Sequence, residues 1–180
     1  MTICTHGHKC LFGEIVNSAT QLNRLGNVVS KCWLEIPHHF PNVEIDTFVV
    51  MSNHFHGILI ITDKCKTTKY YTNTVHNVRR GDPMGRPYIR PHGPTPDSIG
   101  TIIGQFKSVV TKRINKLRGT PGARLWQRNY YEHVIRNEMD LNDIRQYILD
   151  NPVKWDMDEN NPDRLINEPK PQGEPVCLTK

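Results

Sequence analysis

The sequence predicts an α+β sandwich of ferredoxin-like arrangement, an antiparallel sheet with helices packed on it. Three observations lead there. Short β-prone runs come in pairs at hairpin spacing, as in "VEIDTFVVM" and "FHGILII". Longer stretches carry apolar residues every third or fourth position, the period of a helix with one buried face. The order is two strands, a helix, two strands, a long polar loop, a helix, an aromatic segment and a helix, which alternates the two element types within one layer pair.

"TICT" and "CLFGEIV" are β-prone and separated by the polar "HGHK", and they predict a first hairpin. From residue 21 to about 36, Leu22, Leu25, Val28, Val29, Cys32 and Trp33 recur at helical spacing, and the prolines of "IPHHFP" end that helix. The strands of "VEIDTFVVM" and "FHGILII" follow, joined closely enough for a hairpin. Residues 63–97 are polar, rich in Gly and Pro and without periodicity, and predict a long mobile loop. Its Lys64, Lys66, Lys69, Arg79, Arg80, Arg86 and Arg90 suit either a phosphate backbone or solvent. Residues 98–117 form a second helix with the stripe Ile99, Ile102, Ile103, Phe106, Val110, Ile114 and Leu117. "LWQRNYYEHVIRN" is extended and aromatic; "MDLNDIRQYILDNP" is a third helix, with Asp140 as its expected N-cap and Pro152 as its stop. A catalytic domain over 1–156 and a polar tail over 157–180 are the expected division.

Composition narrows the class. The chain has 180 residues, 37% of them apolar, enough for one domain with a real core. No apolar run is long enough for a membrane span, and "MTICTHGHKC" has no apolar signal core, so a cytoplasmic protein is expected. Five irregularly spaced cysteines argue against a disulfide framework. The net charge of +5 suits a polyanionic partner and equally a mildly basic soluble protein.

The sharpest feature is "SNHFHGILI". Residues two apart on a strand share a face, so His54 and His56 project together and Phe55 points the other way. Such a pair fits a polar face against solvent, but in an apolar strand two buried imidazoles without partners would be costly. Two neutral imidazoles on one face are half of a divalent-metal site. On the third helix, Tyr147 and Asn151 are four residues apart and share a face, offering a reactive hydroxyl and a further ligand; a core tyrosine and a helix cap fit the same spacing. "CTHGHKC" offers Cys4, His6, His8 and Cys10, but in a spacing unlike structural zinc sites.

These pieces together resemble a known family. "TICTHGHKCLFGEI", "VVMSNHFHGILII", "IIGQFKSVVTKRIN" and "LWQRNYYEHVIRNEMDLNDIRQYILDNPVKW" are similar to the REP-associated tyrosine transposases, within the HUH group of single-strand DNA nucleases, over roughly residues 2–156. The resemblance implies a ferredoxin-like fold, a divalent metal (Mg²⁺ or Mn²⁺) held by His54, His56 and Asn151, and Tyr147 as the nucleophile. It implies attack of Tyr147 on a phosphodiester of single-stranded or hairpin DNA, giving a 5′-phosphotyrosine and a free 3′-hydroxyl, by a monomer or homodimer. The family usually has Pro where Ser52 stands and more chain before the first strand. From the second difference comes the alternative expectation, a hairpin-DNA-binding relative that does not cut. Candidates for gripping DNA are Lys107, Lys112, Arg113, Lys116, Arg124 and Arg128, with Trp126, Tyr130 and Tyr131 for base stacking or for core packing. His133 is a lesser candidate for phosphate or metal contact.

Overall fold

A computed structural model describes residues 1–62 and 97–164. The expected loop over 63–97, with its seven basic residues, lies outside the described residues apart from Asp97, as do Cys65, Cys177 and residues 165–180.

The fold is α+β. Strand β1 (Thr2–Cys4) lies in a three-stranded antiparallel sheet with β5 (His54–Ile61) beside it and β4 (Val43–Val50) at the far edge. Isolated bridges Thr2 to Tyr131 and Thr5 to Trp126 add residues 126–131 as a rudimentary fourth strand on the other side of β1. Read across, this is the spatial order of a ferredoxin-like sheet. Register places Ile3 against Phe55 and Thr2 against His56, so Ile3 and Phe55 share one face and Thr2, Cys4, His54 and His56 the other.

The Phe55 face carries the core. Helices α1 (Arg24–Leu34) and α3 (Ile99–Arg118) cover it with Val29, Trp33, Ile102, Phe106, Val110 and Ile114. Phe55 is wedged between aromatic rings, 4.6 Å from Trp33 and 5.7 Å from Phe106 between centroids. This is why β5 stays flat against the helices while its alternate residues point away. Gly57, two residues on, faces the same rings: a Cβ there would stand 2.7 Å from Trp33 Cζ2. The close approach that a glycine permits here is thus by a core tryptophan rather than a ligand. Helix α4 (Glu138–Asp150) lies on the opposite, histidine-bearing face and packs on β4.

Four expectations need correction. First, β1 does not pair with "CLFGEIV". That run forms β2 (Gly13–Val16), which pairs with β3 (Ala19–Leu22). Asn17 and Ser18 both adopt positive φ, 49° and 61°, the two-residue turn that matches strand twist. Second, α1 starts at Arg24, not at 21, because Gln21 and Leu22 belong to β3 and Asn23 caps the helix, its side chain accepting from the amides of Leu25 and Gly26. Third, Pro37 does not simply end a helix. It sits in the first turn of a short helix α2 (Ile36–His39), where a missing N–H costs nothing. Fourth, α4 is capped by Asn137, whose side chain accepts from the amide of Asp140 at 2.8 Å; Asp140 lies in the first turn. The helix expected over 98–117 is α3, Ile99–Arg118, with Ser98 as its cap.

One irregularity matters for the site. Pairing of β4 with β5 shifts by one residue between Ile45 and Phe48. This bulge re-aims Asp46 out of the sheet. Arg145 of α4 donates to both Asp46 carboxylate oxygens, with contacts of 2.6 to 3.1 Å. The guanidinium pins α4 to β4 and holds the Asp46 carboxyl down at about 2.

Candidate functional site

His54 and His56 open β5 immediately after a three-residue turn, residues 51–53, that is buried under the segment 5–12. The amides of Leu11 and Phe12 both donate to Ser52 O, and the amide of Thr5 donates to Asn53 O. The turn's side chains are equally enclosed: Asn53 is fully buried, and the Ser52 hydroxyl is buried with no hydrogen-bond partner.

Asn53 decides the state of His54. Its amide NH₂ donates to His8 O at 3.0 Å and to Asn160 O at 2.6 Å, and carbonyl oxygens only accept. Its Oδ1 therefore faces His54 Nδ1, 2.8 Å away, and takes the proton of that nitrogen. The lone pair of His54 is thereby left on Nε2. That atom lies 3.4 Å from Asn151 Oδ1 and 3.7 Å from Asp158 Oδ2. Three acceptors thus converge on one point with no donor between them.

His56 completes the convergence. Thr2 Oγ1 stands 2.9 Å from its Nδ1, while its Nε2 is buried without any partner. The two imidazole rings meet edge to face at 4.6 Å between centroids. Burial pushes both imidazoles below their ordinary range, and His56, further disfavoured by the charge of its neighbour His54, reaches about 3. Burial thus favours the neutral form of both rings, the form whose lone pair can ligate. His54, His56 and Asp158 each offer a ligand atom, all within 4.8 Å of one another. An orphaned buried imidazole nitrogen, a second lone pair set by hydrogen bonding and an acidic oxygen form a donor set suited to a divalent cation.

Asn151 and Tyr147 arrive with α4 as expected. Asn151 is buried at the helix end, and Ile148 is the buried anchor beside it. The Tyr147 ring stands edge-on to His56 at 5.5 Å, with half of the side chain exposed. It faces a groove of about 1060 Å³ between β5, α4 and residues 131–137. A phenol reachable from solvent thus adjoins two imidazoles whose free nitrogens face the same point.

Asp158 was not among the expected site residues, because it falls in the stretch read as tail. Within the described residues, 157–164 folds back on the histidine face instead. Asn161 is buried, and Asn160 accepts from Asn53 and lies 3.5 Å from Cys4 Sγ. The alternating "DMDENNPD" carries one local signal: Asp158 accepts from the amide of Asn160, and Asn161 from that of Asp163. Such turns predict a compact segment but not its position.

The expected DNA-gripping residues scatter. Trp126 is in the core against Phe12 and Phe106, so it stacks on side chains and not on bases. Lys107 donates to the carbonyls of Gln127, Arg128 and Asn129, a clamp on the edge segment rather than a free cation. Arg113 pairs with Glu35 at 2.9 Å and contacts Cys32 Sγ. Lys112, Lys116, Arg124 and Arg128 are exposed. Tyr130 packs partly on the core, whereas Tyr131 is exposed and lines the Tyr147 groove. His133 pairs with Asp140 at 3.2 Å. Cys4, His6, His8 and Cys10 form no ligand cluster among the described residues: His8 bonds Gln127, and Cys10 is exposed.

No family model matches this chain, and no solved structure does. The chain is 41% identical over 159 residues to an uncharacterized protein of Haemophilus influenzae, covering 88% of this chain and 82% of that protein. Among the described residues, no helix is long and apolar enough to cross a membrane.

Proposed function

We propose that this chain, which belongs to one family with the uncharacterized Haemophilus protein, is a metal-dependent single-strand DNA nuclease and strand transferase using Tyr147 as its nucleophile. The observation that carries this reading is the meeting of Tyr147 and Asn151, more than ninety residues on in sequence, and then Asp158, with the His54 and His56 pair of β5.

His54, His56 and Asp158, with Asn151 beside them, would hold Mg²⁺ or Mn²⁺. Bound there, such an ion neutralises charge on the oxygens of a phosphate. The protein's own groups do the rest. Asn53 keeps the His54 proton on the side away from its ligand atom, and Thr2 stands against Nδ1 of His56, leaving Nε2 of that ring toward the site. The Tyr147 oxygen attacks the phosphorus in line: the Oη–P bond forms, the P–O3′ bond breaks, and the phenolic proton is balanced by protonation of the departing 3′-oxygen. The resulting 5′-phosphotyrosine conserves the bond for transfer to another 3′-hydroxyl. Arg145, through Asp46, fixes how α4 sits on the sheet and so where Tyr147 stands.

Incubation with end-labelled DNA hairpins carrying single-stranded flanks, with Mn²⁺, tests the reading. A covalent protein–DNA adduct that Tyr147→Phe abolishes is the expected result. An adduct formed by Tyr147→Phe at the parental rate refutes it, as does cleavage without any protein–DNA link, which would mark a hydrolytic phosphoesterase.

A further inference from the structure

The rudimentary fourth strand delivers a second phenol to the histidine face. Thr2 and Tyr131 exchange both backbone hydrogen bonds, the amide of each donating to the carbonyl of the other, at 2.8 and 3.0 Å. Thr2 is in turn the register partner of His56, and its hydroxyl stands against Nδ1 of that ring. Residues directly opposite one another in an antiparallel sheet share a face, so Tyr131, Thr2 and His56 form one row across three strands. In the next row Met1 and Gly57 exchange backbone hydrogen bonds, which makes Thr2 and His56 the more closely set kind of pair. The row therefore puts the backbone of Tyr131 roughly 10 Å from that of His56.

Tyr147 approaches the same imidazole from α4, at 5.5 Å between ring centroids. The two phenols thus flank His56, one from the sheet and one from the helix packed on it. Both line the groove of about 1060 Å³, and both are open to it: Tyr131 is 68% exposed and Tyr147 51%. Tyr130 packs partly on the core and faces a different groove, so the alternation of the strand singles out Tyr131. The pairing with Thr2 also fixes the backbone from which the Tyr131 ring projects.

Closest approach to the metal ligands matters most for the first cut, in which an aliphatic 3′-oxygen must leave. A phosphotyrosine is less demanding. Its leaving group is a phenolate, and phenols are much stronger acids than aliphatic alcohols. A phenol set back from the ligand atoms is therefore a poor nucleophile toward DNA and a competent one toward a phosphotyrosine held beside it.

We infer that Tyr131 is a second acceptor, which takes the DNA strand from Tyr147 and leaves Tyr147 free to cut again. In this step the bond from Tyr131 Oη to phosphorus forms and the bond from Tyr147 Oη to phosphorus breaks. The phenolic proton of Tyr131 is balanced by protonation of the departing Tyr147 oxygen, and no other reactant is consumed. One chain can then hold two strands, one on each tyrosine. Such an enzyme suits a DNA segment with a cleavable junction at either end. The inference rests on the reading of Tyr147 as the first nucleophile.

The test follows where the DNA is attached. The protein is mixed with excess DNA hairpin carrying single-stranded flanks and a 3′-fluorescein, with Mn²⁺, and quenched over time. Intact mass counts the strands on each chain. Nuclease trimming and trypsin then separate the peptides 129–136 and 146–154, and fragmentation assigns the modified tyrosine. In the parent, label is expected on Tyr147 first and on Tyr131 later, with a species carrying two strands. The two esters are of one chemical kind, so their late amounts should lie within about tenfold of each other. Tyr131→Phe keeps the aromatic ring and removes only the hydroxyl, so a base-stacking role survives it. That variant should confine label to Tyr147 and carry no more than one strand. Tyr147→Phe should carry no label on Tyr131. Label confined to Tyr147 in the parent at all times overturns the relay and leaves Tyr147 as the nucleophile. A species with two strands that persists in Tyr131→Phe does the same. Label on Tyr131 in Tyr147→Phe makes Tyr131 a direct nucleophile and overturns both the relay and the primacy of Tyr147. Label on neither tyrosine in the parent removes Tyr147 as nucleophile and the relay with it.

Discussion

Asn53→Ala perturbs the candidate metal centre without touching a ligand. The wild-type side chain is fully buried and makes three hydrogen bonds, to His8 O, to Asn160 O and to His54 Nδ1. At about 1 kcal/mol net for each, their loss costs about 3 kcal/mol. For a chain of this size that lowers Tm by about 6–12 °C. A second effect is specific to the site. With Oδ1 gone, His54 no longer has a buried acceptor for its Nδ1 proton, so Nε2 no longer carries the lone pair obligatorily. Removing a partner of this type weakens metal binding about 10–100-fold. Calorimetric titration with Mn²⁺ and thermal melts with and without Mn²⁺ read the two effects apart. The parent should gain stability with rising Mn²⁺, by about 2.7 kcal/mol at a hundred times Kd, and Asn53→Ala should need correspondingly more metal for the same gain. Asn53→Asp keeps an acceptor for His54 but turns a carboxylate oxygen toward two carbonyls, so it should fold less stably than Asn53→Ala. Parental Mn²⁺ affinity in a folded Asn53→Ala protein would refute the argument that Asn53 sets the His54 tautomer.

Three further outcomes follow from the packing. The Asp46 carboxyl, held at about 2 by Arg145 against an ordinary 3.8, is depressed on folding; its contribution is complete above pH 5 and disappears as pH falls through about 2. The Tm deficit of Asp46→Asn relative to the parent, clear at pH 6, should therefore shrink toward zero near pH 2, and a deficit independent of pH would contradict the pairing. Ser52→Ala removes a buried hydroxyl that has no partner and should raise Tm by about 2–4 °C, about 1 kcal/mol, in a thermal melt. Gly57→Ala drives a methyl into Trp33 and Phe55 and should destabilise by about 1–3 kcal/mol, read by urea unfolding; an unchanged midpoint would show that the aromatic wedge can yield.

Much of this architecture was legible in the chain because it depends on local periodicity. The period-two pattern of β5 separates His54 and His56 from Phe55, and the period of α4 places Asn151 and Tyr147 near one another, whatever the rest of the fold does. What was not legible depends on contacts distant in sequence. β1 selects β5 over β2 because Ile3 belongs in the core beside Phe55, and no local feature of "TICT" announces that. Arg113 and Lys107 read as free cations because Glu35 and the carbonyls of 127–129 come from other segments. Asp158 was hidden for the same reason: a polar run rich in Asp and Asn looks solvated until Asn53 and Cys4 are seen to receive it. The β2–β3 turn is different, since the "NS" of "IVNSAT" is a short turn signal that competes with the helical spacing of Leu22 and Leu25.

The hydrogen bond from Asn53 to Asn160 spans 107 positions, and the contact of Cys4 with Asn160 spans 156. During synthesis both imidazoles are therefore made about a hundred residues ahead of Asp158, and Tyr147 only eleven residues ahead of it. Of the groups gathered around the imidazoles, Asp158 is the last in chain order, after Tyr147 and Asn151. A chain synthesised only as far as Tyr147 carries both imidazoles and the phenol but not the carboxylate that faces them. Chains terminated just short of residue 158 would lack both the acidic oxygen of this site and the carbonyl of Asn160 that Asn53 bonds.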